Sequence, residues 1–248
     1  MLPGAGEVGR VIDEVVSQMP ATSTWIDMST ASSPIASARA TAAARRGLSL
    51  LDAPVGGGPD TAREGRLIAF VGGAAVDLDA QRGVLDTLAD RVIHVGAGGA
   101  GYTVKLLVNL LWFGQAIMST EALALAQHAG VTPEALCEAV GHSAAASEFM
   151  ANDAAALLAG DDRSSYSLAR ICEQMATILR LGADLAVPLE LGTLVSDLHH
   201  RALAHYGDVD GELLGARLVA ERTGLTMEPS IPAADRQYDC RSVSGPGS

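Results

Sequence analysis

The chain has 248 residues, 48% hydrophobic and 19% charged, enough apolar material for one large core or two smaller ones. A formal net charge of −12 argues against a nucleic-acid partner, which needs a basic face. Cys137, Cys172 and Cys240 are too scattered for a disulfide framework or a CxxC metal pattern, so a reducing, cytoplasmic setting is the simplest expectation. No apolar run is read as long enough to span a bilayer, and no membrane partner is expected.

In chain order, "EVGRVIDEVVSQM" reads as an amphipathic helix with Val8, Val11, Ile12, Val15 and Val16 on one face. "STWIDMS" is a short strand, followed by a helix from about Pro34 to Arg46. "LSLLDAPV" and "RLIAFVGG" read as buried strands, "DLDAQRGVLDTLADR" as a helix and "RVIHVG" as a strand. Such alternation builds a mostly parallel sheet covered by helices. From Tyr102 to about Ala129 runs a long apolar helix, and Thr132 with Glu134 suits the start of the next. Further helical stretches cover roughly 145–158, 167–185, 188–206 and 210–223, with no strand among them. The expected fold is therefore α/β, a truncated Rossmann-type parallel sheet over residues 1–98, followed by an all-α domain over 99–224. Residues 225–248 turn to Pro, Ser, Gly and Asp without periodicity and are expected to form a disordered tail.

Two GxGxxG patterns occur, at Gly4, Gly6 and Gly9 and at Gly96, Gly98 and Gly101. A dinucleotide fingerprint needs a strand before it and a βαβ unit around it. Only Met1, Leu2 and Pro3 precede the first pattern, and no further strand follows the second. Neither reads as a phosphate cradle. The glycines before Lys105 instead allow a tight strand-to-helix transition and close backbone approach. Lys105 is the only lysine beside sixteen arginines, and it shares a helix face with Asn109 at i and i+4. Burial on that apolar helix favours a neutral amine able to act as acid or base, while a snorkelling surface lysine is the competing reading.

"GxGxxxKxxxN", Gly99 to Asn109, resembles the catalytic helix of the 3-hydroxyisobutyrate dehydrogenase family, the β-hydroxyacid dehydrogenases related to 6-phosphogluconate dehydrogenase. "MLPGAGEV" is similar to that family's MLP loop and "IDMST" to its D-x-S-T strand end. "DAPVGGGPDTAREGRLIAFVGG" resembles its D-A-P-V-S-G-G stretch, and "GDVDGELLGARL" its C-terminal G-x-x-D helix entry. These motifs follow the family order from residue 1 to about 223.

The resemblance implies NAD or NADP as cofactor and hydride transfer with a small 3-hydroxy acid or related carbonyl compound. Lys105 would be the acid/base residue, Asn109 a substrate contact, and the Gly57–Gly58 backbone the holder of a substrate carboxylate. Leu2, Pro3 and Thr30 would line the nicotinamide. Gly57 and Gly58 also read as a plain turn, and Thr30 as a helix cap. No metal is implied: the six histidines lack partners at ligand spacing, and Asp161–Asp162 reads as a solvated turn. The helical domain would form a homodimer or homotetramer.

Three departures qualify the resemblance. The chain begins at the MLP loop, so the family's own GxGxxG and ribose reader are missing, and weak binding of NAD or NADP, or none, is expected. The serine of V-S-G-G is Gly56 here. In "SYSLARICEQMATILRLGADL", similar to the F-x-L-x-x-x-x-K-D-L helix, Glu173 and Gln174 replace the K-D pair, which suggests a less anionic substrate. A non-catalytic remnant serving as a dimerisation module and an imine reductase-like enzyme are the alternatives.

Overall fold

The computed structural model describes residues 14–15, 18–30 and 45–227. Most of the helices expected over 7–19 and 34–46 lie outside the described residues, as do Leu2, Pro3, the Gly4–Gly9 pattern and the chain from residue 228.

Among the described residues the first unit, to Asn109, holds one five-stranded sheet. Its strands are β1 (Thr24–Asp27), β2 (Ser49–Asp52), β3 (Val55–Gly56), β4 (Ile68–Gly72) and β5 (Arg91–Gly96), with helices α1 (Gly58–Arg63) and α2 (Ala75–Leu85) between them. The expected order of β and α units is present, but the sheet is mixed. β1 pairs parallel with β2 and β4 with β5, whereas β4 runs antiparallel to both β2 and β3. Connection length explains this. Only positions 57–67 join β3 to β4, and a parallel return needs a dozen residues or more. The eleven residues of α2 do make such a crossover, and β4 and β5 are parallel.

"LSLLDAPV" changes neighbours at Pro54 rather than running as one strand. The Ala53 N–H donates to the Asp27 carbonyl of β1, at 2.7 Å, whereas the Pro54 carbonyl accepts from Phe70 of β4, at 3.0 Å. Proline offers no N–H there, so the ladder breaks and resumes on the other side. Leu51, Ala53, Ala69 and Val71 pack with Leu78 and Leu85 of α2 to form the core of this unit.

The second unit begins at Leu110, inside the helix α3 (Ala100–His128), whose first ten residues belong with the sheet unit. It continues through α4 (Pro133–Gly141), a π-helical turn at Phe149–Asp153 leading into α5 (Ala154–Leu158), α6 (Leu168–Asp184), α7 (Glu190–Tyr206) and α8 (Leu214–Thr223). The expected cap is present: Thr132 Oγ1 accepts from the Ala135 N–H at 3.2 Å. Phe149, Leu157, Leu123 and Leu213 lie at the centre of the core, with Trp112 against its edge. Trp112 Nε1 donates to Asp153 Oδ2 at 3.0 Å, from the last residue of the π turn.

Three expectations need correction here. By length and composition α3 could cross a membrane, a test that a core helix also passes. Its charged residues, Lys105 and Glu121, leave a long uncharged stretch between them, while Phe113, Ile117 and Leu123 are buried in the helical unit. Residues 225–227 belong to the helical unit, because Leu225 is buried in the core and the Thr226 N–H donates to Gln127 Oε1 at 2.9 Å; the rest of the expected tail, 228–248, lies outside the described residues. Asp162 is not merely solvated. Arg217 Nε lies 2.7 Å from its Oδ1, an ion pair rather than an aligned hydrogen bond, and burial raises the Asp162 pKa against that pull.

His199 on α7 is buried against the Phe113 ring and the Gly215 backbone, with Nδ1 2.9 Å from the Val195 carbonyl. Burial lowers its pKa, and neighbouring His200 lowers it further. Below the usual histidine range the unfolded chain therefore binds a proton that the folded chain resists. Stability contributed by neutral His199 is present above that range and lost as pH falls, by at most about 1.4 kcal/mol per pH unit. Buried carboxyls such as Asp153, whose pKa is raised, act with the opposite sign. Urea unfolding at pH 5 and pH 7 on parent and His199→Asn chains isolates the effect. The parent should lose more stability on acidification, and equal losses would refute the assignment.

Candidate active site

Asp27 and Asp52 end β1 and β2 and stand opposite each other in the parallel register. Asp52 in turn pairs with Gly72 across the antiparallel β4. The row Asp27, Asp52, Gly72 thus crosses three strands at one level, and both carboxylates are buried. The start of α3 is fastened to this row. Asp52 Oδ1 accepts from the Gly99 N–H at 2.7 Å and Oδ2 from the Tyr102 N–H at 3.1 Å. Tyr102 also donates its hydroxyl to Asp27 Oδ2 at 2.5 Å, while Asp27 Oδ1 accepts from the Ser29 N–H at 2.8 Å.

Helix N-termini present unpaired N–H groups and a partial positive charge, which a carboxylate satisfies. Burial raises the Asp52 pKa, and the N–H groups of Gly99 and Tyr102 pull it back without cancelling the rise. The second GxGxxG therefore faces an internal carboxylate, which would repel a phosphate. Its last glycine has a packing role. A Cβ on Gly101 would stand 2.3 Å from the Phe70 carbonyl and 2.6 Å from that of Asp52. A Cβ on Gly72 would meet Asp52 Oδ2 at 2.6 Å. Two bare backbones are what let α3 sit directly on the sheet.

Lys105 and Asn109 follow on α3, one turn apart and half-buried. Lys105 lies three residues past Tyr102, so the two share a helix face. Gly57 and Gly58 form the exposed turn into α1, both with positive φ (125° and 75°). A Cβ on Gly57 would clash with Thr61 at 2.7 Å, and α1 starts without a side-chain cap, leaving its first N–H groups for solvent or a ligand. A Cβ on Gly56 would touch only the Phe70 ring, at 3.4 Å, so a serine would fit there. Thr30 is half-buried three residues beyond the end of β1.

These residues fit the nicotinamide end of a dinucleotide: carboxyl ends of neighbouring parallel strands, a threonine beyond one of them, and a helix-borne amine. Phosphate contacts are not assigned to the described residues. Among the described residues no group of three or more His, Cys, Asp or Glu side chains could hold a metal.

Asp52, Asp27 and Tyr102 were not singled out as functional residues in the sequence. The signal for the two aspartates is that the apolar runs "LSLLD" and "TWID" each end in one, where a carboxylate at a buried strand end needs donors; Tyr102 carries no such signal.

Residues 1–96 match the family described as the NAD binding domain of 6-phosphogluconate dehydrogenase, and residues 99–216 that described as NAD-binding of NADP-dependent 3-hydroxyisobutyrate dehydrogenase. The chain is 30% identical over 201 residues to 2-(hydroxymethyl)glutarate dehydrogenase of Eubacterium barkeri, a match covering 79% of this chain and 67% of that protein. It is 36% identical over 146 residues to 3-hydroxyisobutyrate dehydrogenase of Pseudomonas aeruginosa, covering 58% of this chain and 49% of that protein. The chain thus spans two thirds of the first relative and about half of the second. The structure of Mycobacterium tuberculosis 3-hydroxyisobutyrate dehydrogenase with L-serine superposes with a TM-score of 0.80 at 26% identity, over 88% of this chain and 77% of that one. The Salmonella typhimurium 3-hydroxyisobutyrate dehydrogenase superposes with a TM-score of 0.75, also at 26% identity and with the same coverage.

Proposed function

Because the chain belongs to the β-hydroxyacid dehydrogenase family, whose members use NAD or NADP, we propose that it oxidises a small 3-hydroxy acid with Lys105 as acid/base. The observation that carries this is the chain's only lysine, half-buried one turn inside a helix whose start is fastened to the ends of β1 and β2.

The bound nicotinamide supplies the hydride acceptor. The protein's part is to hold the substrate and move one proton. As the hydride leaves the carbinol carbon, the hydroxyl must lose its proton, and a neutral Lys105 amine takes it. Asn109 hydrogen-bonds the substrate one turn along. The Gly57 and Gly58 N–H groups would receive the carboxylate and Thr30 would line the nicotinamide; the resemblance gives Leu2 and Pro3, outside the described residues, the same role. Glu173 and Gln174 stand where the resemblance has its K-D pair, so those two positions carry no cation. That favours a substrate with one carboxylate over one with two.

The test is cofactor reduction with NAD+ and NADP+ on 3-hydroxyisobutyrate, L-serine and 2-(hydroxymethyl)glutarate, in parent and Lys105→Ala chains. Turnover of a monocarboxylate that disappears with Lys105 supports the reading. Preference for the dicarboxylate refutes the charge argument, and undiminished turnover without Lys105 refutes the mechanism.

We also propose a cytoplasmic homodimer or homotetramer joined by the helical unit. Leu111, Met118 and Leu125 recur every seven residues on α3 and are all exposed, the spacing of a helix seam. The same stripe favours the second reading, a dimerisation module without catalysis. Light scattering beside the turnover assay separates the two.

A further inference from the structure

Tyr102 is bonded at both ends. Its amide N–H donates to Asp52 and its phenol to Asp27, so one residue of α3 is pinned to two neighbouring strands. Tyr102 is 2% exposed, and both acceptor residues are buried. The backbone bonds from Gly99 and Tyr102 to Asp52 fix where α3 starts. They leave rotation about the helix axis less constrained, because both lie close to that axis. The phenol lies further out, and its bond to Asp27 resists rotation. Lys105 follows three residues later on the same side, so its direction depends on that rotation.

We propose that Tyr102 is a positioning residue, which through its hydroxyl bond to Asp27 sets the rotation of α3 and hence the direction of the Lys105 amine. The proposal rests on Lys105 being the acid/base group. A proton-transfer group misplaced by an ångström loses up to about 100-fold in rate, although nothing it binds has been removed. Tyr102→Phe removes one oxygen and keeps the ring that fills the core. Asp27→Asn weakens the same bond from the other side. Because both act through one bond, their effects should not multiply.

Lys105 being the sole lysine provides a readout independent of turnover. Reductive methylation with labelled formaldehyde gives one side-chain dimethylamine signal in carbon NMR, besides the α-amine. In the parent this signal should be displaced from that of a free methylated lysine. In Tyr102→Phe, Asp27→Asn and the double variant it should move toward the free position by a similar amount. In the turnover assay on 3-hydroxyisobutyrate the same three chains should lose about 10-fold to 100-fold in kcat, with KM changed far less. Thermal unfolding is followed in parallel. A Lys105 signal unchanged in Tyr102→Phe overturns the proposal even if that chain melts earlier, because a purely structural bond would lower stability alone. Multiplicative losses in the double variant overturn it too. If Lys105→Ala keeps parent turnover, the catalytic reading fails instead, and the NMR signal still decides whether Tyr102 orients the lysine.

Discussion

Lys105→Ala is expected to lower kcat on the preferred hydroxy acid about 10²-fold to 10⁴-fold, the range that general acid–base catalysis contributes. That corresponds to about 3–5 kcal/mol of transition-state stabilisation. The described groups at the start of α3 are each otherwise engaged. Tyr102 already donates its proton to Asp27, Asn109 does not titrate, and Asp52 is occupied by backbone N–H groups. Water could reach the vacated space, but as a weak base without orientation. KM should change less, because the proposed holder of the carboxylate, the Gly57–Gly58 turn, is left intact. Lys105→Arg should not restore turnover, since a guanidinium stays protonated. Steady-state kinetics of the three chains decide it: an arginine chain as active as the parent would mean that Lys105 supplies only charge.

The elements were legible where their signals are local. Thr132 announces its own helix, because a cap bonds three residues ahead, and β5 leads into α3 through glycines whose crowding role was readable. Direction in the sheet was not. β3 is two residues long, too short for any periodicity to mark it, and its antiparallel return follows from a short connection rather than from composition. The candidate lysine stands out in the sequence, whereas the carboxylates that hold its helix do not. Asp52 reaches Gly99 over 47 positions and Asp27 reaches Tyr102 over 75, and in the first case the partner is a backbone N–H that every residue but proline carries. Such a bond leaves nothing to read in the partner's identity. Arg217 and Asp162 are invisible for a related reason, since an acid in a Gly-Asp-Asp turn looks solvated until a distant helix is folded onto it.

Gly101→Ala should cost about 3–5 kcal/mol, a large part of the about 5–15 kcal/mol that holds a typical domain together. The added Cβ would meet the Phe70 and Asp52 carbonyls at 2.3 and 2.6 Å, both backbone, so neither can turn aside. Overpacking of this kind costs about 1–3 kcal/mol by itself. Relief requires α3 to lift off the sheet. That withdraws the Gly99 and Tyr102 N–H groups from Asp52 and strands a buried carboxylate, which accounts for the remainder. Gly83→Ala is the matched control, in the interior of α2 with nothing within 4 Å of the new Cβ. It should stabilise by about 0.5–1 kcal/mol, because alanine loses less backbone freedom on folding than glycine. Denaturant midpoints of the two variants should therefore move in opposite directions from the parent. If Gly101→Ala unfolds at the parent midpoint, α3 does not rest on the β2–β4 backbone. In that case the glycine of the second GxGxxG would need another explanation than close packing.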